Sequence, residues 1–389
     1  MKPTIAILRG GLLSPFEMQA FEPLKRRYDL TTFTPHETRF DLSTVEIPRE
    51  SLYCPLVNAT FLDKGRQVQA LRDRLTGQTH SYCGLAPRLV GFDLIHTADP
   101  FYCFSYEAAL AKRRTGSGLV VTQWENIPHK NERKFVERQT KRALHLEADL
   151  FLAVSEGAKA ALLAEGVPGE KIRKVYPGID TRHFTPGPPD RPLRKQLGLG
   201  SKDWVVLYAG RLSREKGVFT LLEAFNGLVR QNPQARLVLA GKDEDRVVEY
   251  VRKNSLANVV KISAPLPYEQ MPELYRQADL FVLPSLPTKG WIEQFGFVLA
   301  EAQACGVPVI GSDSGAIPEV VGDLNRTFPA GHAGRLEAAL RESIRWTGPK
   351  ASRQARERAL RLFSLESFGR QVQGAYETVL SAVRKRRTA

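Results

Sequence analysis

At 389 residues the chain is long enough for two domains of ordinary size, each burying its own core. Lysine and arginine outnumber aspartate and glutamate by 56 to 42, a net charge of +14. The basic clusters (Lys25–Arg27, Lys112–Arg114, Lys130–Arg142, Arg384–Arg387) are dispersed and set in no nucleic-acid-binding motif, so a nucleic-acid partner is not expected. Four scattered cysteines, Cys54, Cys83, Cys103 and Cys305, form no C-x-x-C pair, which argues against a zinc site or a disulfide framework and fits a reducing cytoplasm.

The first apolar run, Thr4–Leu8, is too short for a signal-peptide core and reads as a strand. No apolar run approaches the ~20 residues needed to span a bilayer. Gly10 and Gly11 follow that strand and would let a ligand approach the backbone closely. The dinucleotide fingerprint G-x-G-x-x-G is absent. Residues 15–28 read as a helix and 30–33 as a strand. From 34 to about 91 the pattern is ambiguous, with a strand at Cys54–Val57 and a basic helix at Gly65–Leu75 as the best readings. Strands at 92–96, 119–122, 149–154 and 174–176 then alternate with helices at 105–113, 132–147 and 156–165, the last capped by Ser155. Such alternation predicts a parallel sheet covered by helices.

Residues 177–203 are rich in proline and glycine and read as a linker. The second half repeats the logic. Its strands fall at 204–208, 236–240, 259–262 and 279–283, its helices at 218–230, 244–254 and 268–277. Helices near 333–346, 350–362 and 366–385 close the chain. The expected domains are 1–180, a linker at 181–203, a second domain at 204–365, and a terminal helix at 366–389 that packs back on the first domain.

The chain is organised around 281–322. There a buried strand runs into a loop, a helix from Phe297 to Cys305, and a second buried strand at Val307–Ile310. Gly296 and Phe297 offer backbone N–H groups at the helix start, a place suited to a phosphate. Glu301, one turn deeper, can accept hydrogen bonds from vicinal ribose hydroxyls, and Glu293 in the loop can reach a hydroxyl beyond the diphosphate. Arg211 and Lys216, in the loop after the strand 204–208, can neutralise that diphosphate. Asp243-Glu244-Asp245 has the D-x-D spacing of metal-dependent transferases, but an acidic helix start explains it better.

The pattern Glu293-x7-Glu301 with Phe295-Gly296 and the run from Glu301 to Ile310 closely resembles the signature of the retaining glycosyltransferases of family 4. So does Gly210-Arg211-Leu212-x-x-x-Lys216-Gly217, and so does Pro177-Gly178-Ile179-Asp180 with Phe184 and Pro186. The resemblance covers 149–322 well and the rest in outline. It implies a GT-B fold, two Rossmann-like doubly wound domains facing a central cleft. It implies transfer of a sugar, with retention, from a nucleotide-diphosphate sugar, UDP- or GDP-linked, to a glycan or lipid-linked acceptor, with no cofactor and no metal. In residue terms, Arg211 and Lys216 would hold the diphosphate, Glu301 the ribose and Glu293 a sugar hydroxyl. Phe295 and the backbone of Gly296–Val298 would face donor oxygens, Ile262 and Leu266 the base, and Gly10 and Gly11 the diphosphate from the first domain. Many members carry a histidine after the strand at 119–122. Here the loop is Gln123-Trp124-Glu125-Asn126, and Glu125 stands as the catalytic candidate in its place.

The basic helix 132–147 could lie on an anionic membrane, making the enzyme cytoplasmic or peripheral on the inner membrane face. A nucleotide-sugar 2-epimerase, a sugar phosphorylase and a non-catalytic nucleotide-sugar binder are the rival readings, and fold alone does not separate them.

Overall fold

Each half of the chain builds a parallel sheet from short apolar strands. The computed structural model describes residues 1–10, 13–35, 40–52, 84–132, 134–322 and 326–388. One unit comprises Met1–Gly178 with Leu365–Ala389, the other Ile179–Ser364.

In the first unit the strands are β1 (Thr4–Leu8), β2 (Asp29–Pro35), β3 (Arg49–Leu52), β4 (Leu94–Ala98), β5 (Gly118–Gln123), β6 (Leu150–Ala153) and β7 (Ile172–Lys174). They pair in the order β3-β2-β1-β4-β5-β6-β7, all parallel. Both β4 and β5 are buried along their whole length, as strands covered on both faces must be. One face is closed by the terminal helix Leu365–Thr388. Its Val372, Ala375, Tyr376, Val379, Leu380 and Val383 recur at helical spacing and join Ile5, Ile7, Leu94, Val120 and Leu150 in one core cluster. Tyr376 also donates or accepts a hydrogen bond at Nδ1 of buried His96 (2.7 Å), whose Nε2 meets Thr122 Oγ1 (2.8 Å).

In the second unit the strands are β8 (Trp204–Ala209), β9 (Ala235–Ala240), β10 (Val260–Ser263), β11 (Leu280–Leu283), β12 (Val309–Ser312) and β13 (Arg326–Phe328). Their order is β10-β9-β8-β11-β12-β13, again parallel. The sheet order reverses direction between β8 and β11, and between β1 and β4 in the first unit. Both are the doubly wound pattern.

Several elements depart from the sequence reading. Residues 15–28 are not one helix: Pro15–Met18 is a single helical turn, and a 3-10 stretch follows at Glu22–Arg26 with Pro23 near its start. The helix expected from 244 begins at Val247, because Asp243, Glu244 and Asp245 stay in the loop. Edge strands β3 and β13 were not anticipated. The sequence of β3, Arg-Glu-Ser-Leu, is polar because the strand borders solvent. The strand at Cys54–Val57 and the helix at Gly65–Leu75 lie outside the described residues. Residues 181–203 belong to the second unit and carry a short helix at Arg191–Gln196.

The basic helix spans Phe135–Glu147. Its Lys141 is buried and pairs with Glu165 at 2.6 Å and Glu132 at 3.0 Å. That charge serves the interior of the unit and is not offered to a membrane.

Candidate active site

Ligands of doubly wound sheets bind beyond the carboxyl ends of the strands where the order reverses. In the second unit those ends belong to β8 and β11, and two glycines clamp their loops together. Gly217, at φ +72, lies so close to the Pro284 carbonyl that a Cβ there would sit 1.8 Å from its oxygen. Gly315, at φ +56 in the loop after β12, lies under Glu293, where a Cβ would be 2.1 Å from the Glu293 carbonyl oxygen. The neighbouring Ala316 N–H donates to that same oxygen at 2.9 Å. Side-chain-free, left-handed residues at both points bring three loops to one place.

The result is a charged pair across two loops. Lys216 Nζ stands 2.9 Å from Glu293 Oε2, with both side chains largely buried. Ser285 Oγ donates to the same carboxylate oxygen at 3.1 Å. The Lys216 ammonium also lies 4.0 Å from the centre of the Trp291 ring, a cation–π contact that fixes the long side chain. Arg211, half-exposed, is bonded to Glu215 and to Glu244, the latter at 3.1 Å. Tyr208 OH donates to the Arg211 carbonyl at 2.7 Å and pins the start of the loop.

The helix Phe297–Ala304 starts behind this pair. Its N-cap is Gly296 (φ +88), which supplies no capping side chain, and the helix dipole favours an anion at such a start. Glu301, on the second turn, is 9% exposed and accepts a hydrogen bond from Tyr275 OH at 2.7 Å. Burial pushes its pKa up to about 7, against the opposing effect of the Tyr275 bond. Phe295 is a core residue, packed edge-on against Phe297 and Phe363. Beside the helix lies a cavity of about 370 Å³. Gly210, Arg211, Lys242, Leu266, Met271 and Val298 line it. Ile262 sits within β10 and does not line that cavity.

The three acids of the D-x-D run are each used locally. Asp243 accepts from the N–H groups of Val247 (2.8 Å) and Val248 (3.1 Å), Asp245 from the Arg214 N–H, and Glu244 pairs with Arg211.

Gly10 and Glu125 belong to the first unit. Gly10 (φ +61) backs onto Phe104, and Gly11 lies outside the described residues. Glu125 is buried and turned into its own loop. Its Oε1 accepts from the N–H groups of Asn126 and Ile127, and its Oε2 pairs with Lys130 at 2.7 Å. The loop ends of β1, β4 and β5 also gather a polar cluster that sequence reasoning missed. Arg9 is buried and ion-paired to Glu17, Asp99 accepts from the Trp124 N–H at 2.8 Å, and the Arg9 guanidinium stands 6.0 Å from the Trp124 ring centre. Burial pulls Arg9 down to about 10, opposed by Asp99, and pushes Asp99 up to about 6. Asp99 ends a strand, and that position could have flagged it. Tyr275 and Ser285 carry no such signal, because only folding brings them to Glu301 and Glu293.

Two family models match the chain: Glycosyl transferases group 1 over residues 190–359 and Glycosyltransferase Family 4 over 22–183. Among curated relatives, the D-inositol 3-phosphate glycosyltransferase of Corynebacterium jeikeium is 35% identical over 162 residues, 39% of this chain and 37% of that protein. The GDP-mannose-dependent alpha-(1-6)-phosphatidylinositol monomannoside mannosyltransferase of Mycolicibacterium smegmatis is 30% identical over 224 residues, 54% of this chain and 56% of that protein. The matched stretches thus span about half or less of these relatives' lengths. Among solved structures, Anabaena HepE in complex with UDP superposes with a TM-score of 0.76 at 22% identity, covering 97% of this chain and all of that one. At that identity the likeness speaks for the fold.

Proposed function

This chain belongs to the group 1 and family 4 glycosyltransferases of GT-B fold, and from that premise we propose that it moves a sugar from a nucleotide-diphosphate sugar to an acceptor hydroxyl. The observation that carries the reading is the Lys216–Glu293 pair, held where β8 and β11 part, beside the uncapped start of the helix Phe297–Ala304. In the proposed complex Lys216, Arg211 and the N–H groups of Phe297 and Val298 take the diphosphate. Glu301 takes the ribose, Glu293 a hydroxyl of the transferred sugar, and the cavity at Leu266 and Val298 the base. The acceptor oxygen bonds to the anomeric carbon as the bond from that carbon to the diphosphate breaks. The acceptor proton passes to a phosphate oxygen of the departing diphosphate on the same face, so configuration is retained. The cationic groups stabilise the charge that develops there, work a metal ion does in other transferases.

The names of the matched proteins support UDP or GDP as the base carrier and a phosphorylated or lipid-linked polyol as acceptor. We place the acceptor side on the first unit, with Glu125 as its candidate residue and Gly10 as a contact to the donor diphosphate. The test is a thermal-shift panel of nucleoside diphosphates and their sugars, with Lys216→Ala beside the wild type. One nucleotide sugar should raise the melting temperature of the wild type. With that donor and its acceptor, Lys216→Ala should lose two to three orders of magnitude in kcat, the scale of about 2.7–4 kcal/mol for one preorganised charge stabiliser. Unchanged turnover in a folded variant removes Lys216 from the mechanism.

A further inference from the structure

Both cations assigned to the diphosphate are already paired with carboxylates, and the two pairings differ in burial. Arg211 answers Glu215 and Glu244, whose side chains are 38% and 30% exposed. Water can take over those carboxylates when the arginine turns to a ligand, so that exchange costs little. Lys216 answers Glu293, and there the side chains are only 16% and 14% exposed. A carboxylate so placed is poorly hydrated, and taking its countercharge away is costly.

Glu293 is also held in place. Its carbonyl accepts from the Ala316 N–H at 2.9 Å, and Gly315 packs directly against that oxygen. Its Oε2 accepts from Lys216 Nζ at 2.9 Å and from the Oγ of buried Ser285 at 3.1 Å. The Trp291 ring, 4.0 Å from the ammonium, holds the lysine at the same spot. The carboxylate cannot turn out to water without breaking these bonds.

A phosphate arriving at Lys216 meets this carboxylate in one of two ways. If the ammonium serves both anions, each within hydrogen-bond reach of Nζ, their oxygens stand at most about 6 Å apart, twice the usual bond length. Like charges that close, one of them largely out of water, repel. If the ammonium leaves for the phosphate, Glu293 loses the Lys216 charge. Either way Glu293 opposes a bare nucleoside diphosphate. A nucleotide sugar brings hydroxyl groups beyond the diphosphate, and a hydroxyl donated to the carboxylate offsets the loss.

We propose, on the donor reading above, that Glu293 is the residue by which this site tells its substrate from its product. It disfavours the nucleoside diphosphate and accepts the same nucleotide carrying a sugar, so the spent nucleotide leaves once the sugar has moved. The test is calorimetric titration of UDP, GDP, UDP-glucose, UDP-galactose, UDP-N-acetylglucosamine and GDP-mannose into wild type, Glu293→Gln and Ser285→Ala. Wild type binds its preferred nucleotide sugar about tenfold or more tighter than the matching diphosphate. Glu293→Gln keeps an acceptor oxygen and drops the charge, and it binds that diphosphate about tenfold or more tighter than wild type does. Its affinity for the nucleotide sugar moves less than about threefold, because a weaker bond to the sugar and the relieved repulsion offset each other, so the preference collapses. Ser285→Ala acts in the opposite direction. It removes a bond that Glu293 needs most when Lys216 is engaged, and it weakens the diphosphate by about threefold. If Glu293→Gln fails to fold, the wild-type preference and the Ser285→Ala shift carry the test. Equal wild-type affinity with and without the sugar, or a diphosphate affinity in Glu293→Gln that is unchanged or weaker, overturns the proposal and leaves the donor reading standing. No heat with any nucleotide in any of the three proteins is a different result, which fails the donor reading and the proposal with it.

Discussion

Replacing Glu301 by glutamine should make the protein more stable and less functional, in a pH-dependent way. The carboxyl is buried against Tyr275, and burial raises its pKa from the ordinary 4.5 to about 7 in the folded state. A raised carboxyl pKa means that the native state holds its proton where the unfolded chain has released it. Stability is then full below pH 4.5 and is lost as pH climbs through 7. The difference of roughly 2.5 pH units corresponds to about 3 kcal/mol. Glutamine is close in shape, can still accept from Tyr275 OH, and bears no charge. At pH 8 the variant should therefore be stabilised by up to about 3 kcal/mol, or about 6–12 °C in Tm at 2–4 °C per kcal/mol for a unit of this size. The two melting curves should converge as pH falls towards 4.5. Thermal unfolding of both proteins from pH 4.5 to 8.5 measures this directly. Parallel pH profiles would refute the argument, because the cost of the buried charge is the only term that changes. The same variant should bind the nucleotide sugar weakly, since a carboxylate offers two acceptor oxygens to the ribose hydroxyls, and an amide replaces one of them with a donor. Wild-type affinity should likewise fall below pH 7.

Three further outcomes are expected. Gly315→Ala should cost about 1–2 kcal/mol for its left-handed backbone alone, and should also displace Glu293; urea denaturation reads the first effect and donor affinity the second, and wild-type values for both would contradict the clamp. Tyr376→Phe leaves buried His96 Nδ1 without its partner and should destabilise the first unit by about 1–3 kcal/mol, with amide hydrogen exchange accelerated along β4 and β5; unchanged exchange there would contradict it. Asp243→Ala should lose about 1 kcal/mol as a helix-start acceptor is removed, while turnover persists in EDTA; abolition of turnover by the chelator would restore a metal role to the D-x-D run.

Much of this was readable from the chain. The alternation of buried strands and helices identified both sheets, because parallel strands covered on both faces must be apolar throughout. The Glu293-to-Glu301 stretch was legible because the loop, helix start and helix are contiguous, so spacing alone sets their geometry. What was hidden is non-local or sits at a border. Strands β3 and β13 are short edges with no apolar run to announce them. Pro23 interrupts a stretch whose apolar spacing otherwise suits a helix. Trp291, Ser285 and Tyr275 reach the site only through tertiary packing. Glu125 is a surface-like acid in sequence, yet in the structure its carboxylate is committed to its own loop and Lys130. Lys141 reads as part of a basic face and is instead buried between Glu132 and Glu165.

The first unit is completed only by the last stretch of the chain. The His96–Tyr376 bond joins residues 280 apart, and the apolar side chains of Leu365–Thr388 lie on a sheet made almost entirely before residue 178. During synthesis the second unit, contiguous from Ile179 to Ser364, can therefore close while the first still waits with Ile5, Leu94 and Val120 bare. Until the terminal helix leaves the ribosome, that half of the nascent chain presents an apolar surface of the kind chaperones hold. A stop codon before residue 365 would leave the Glu293 loop entire and still yield a molecule marked for proteolysis.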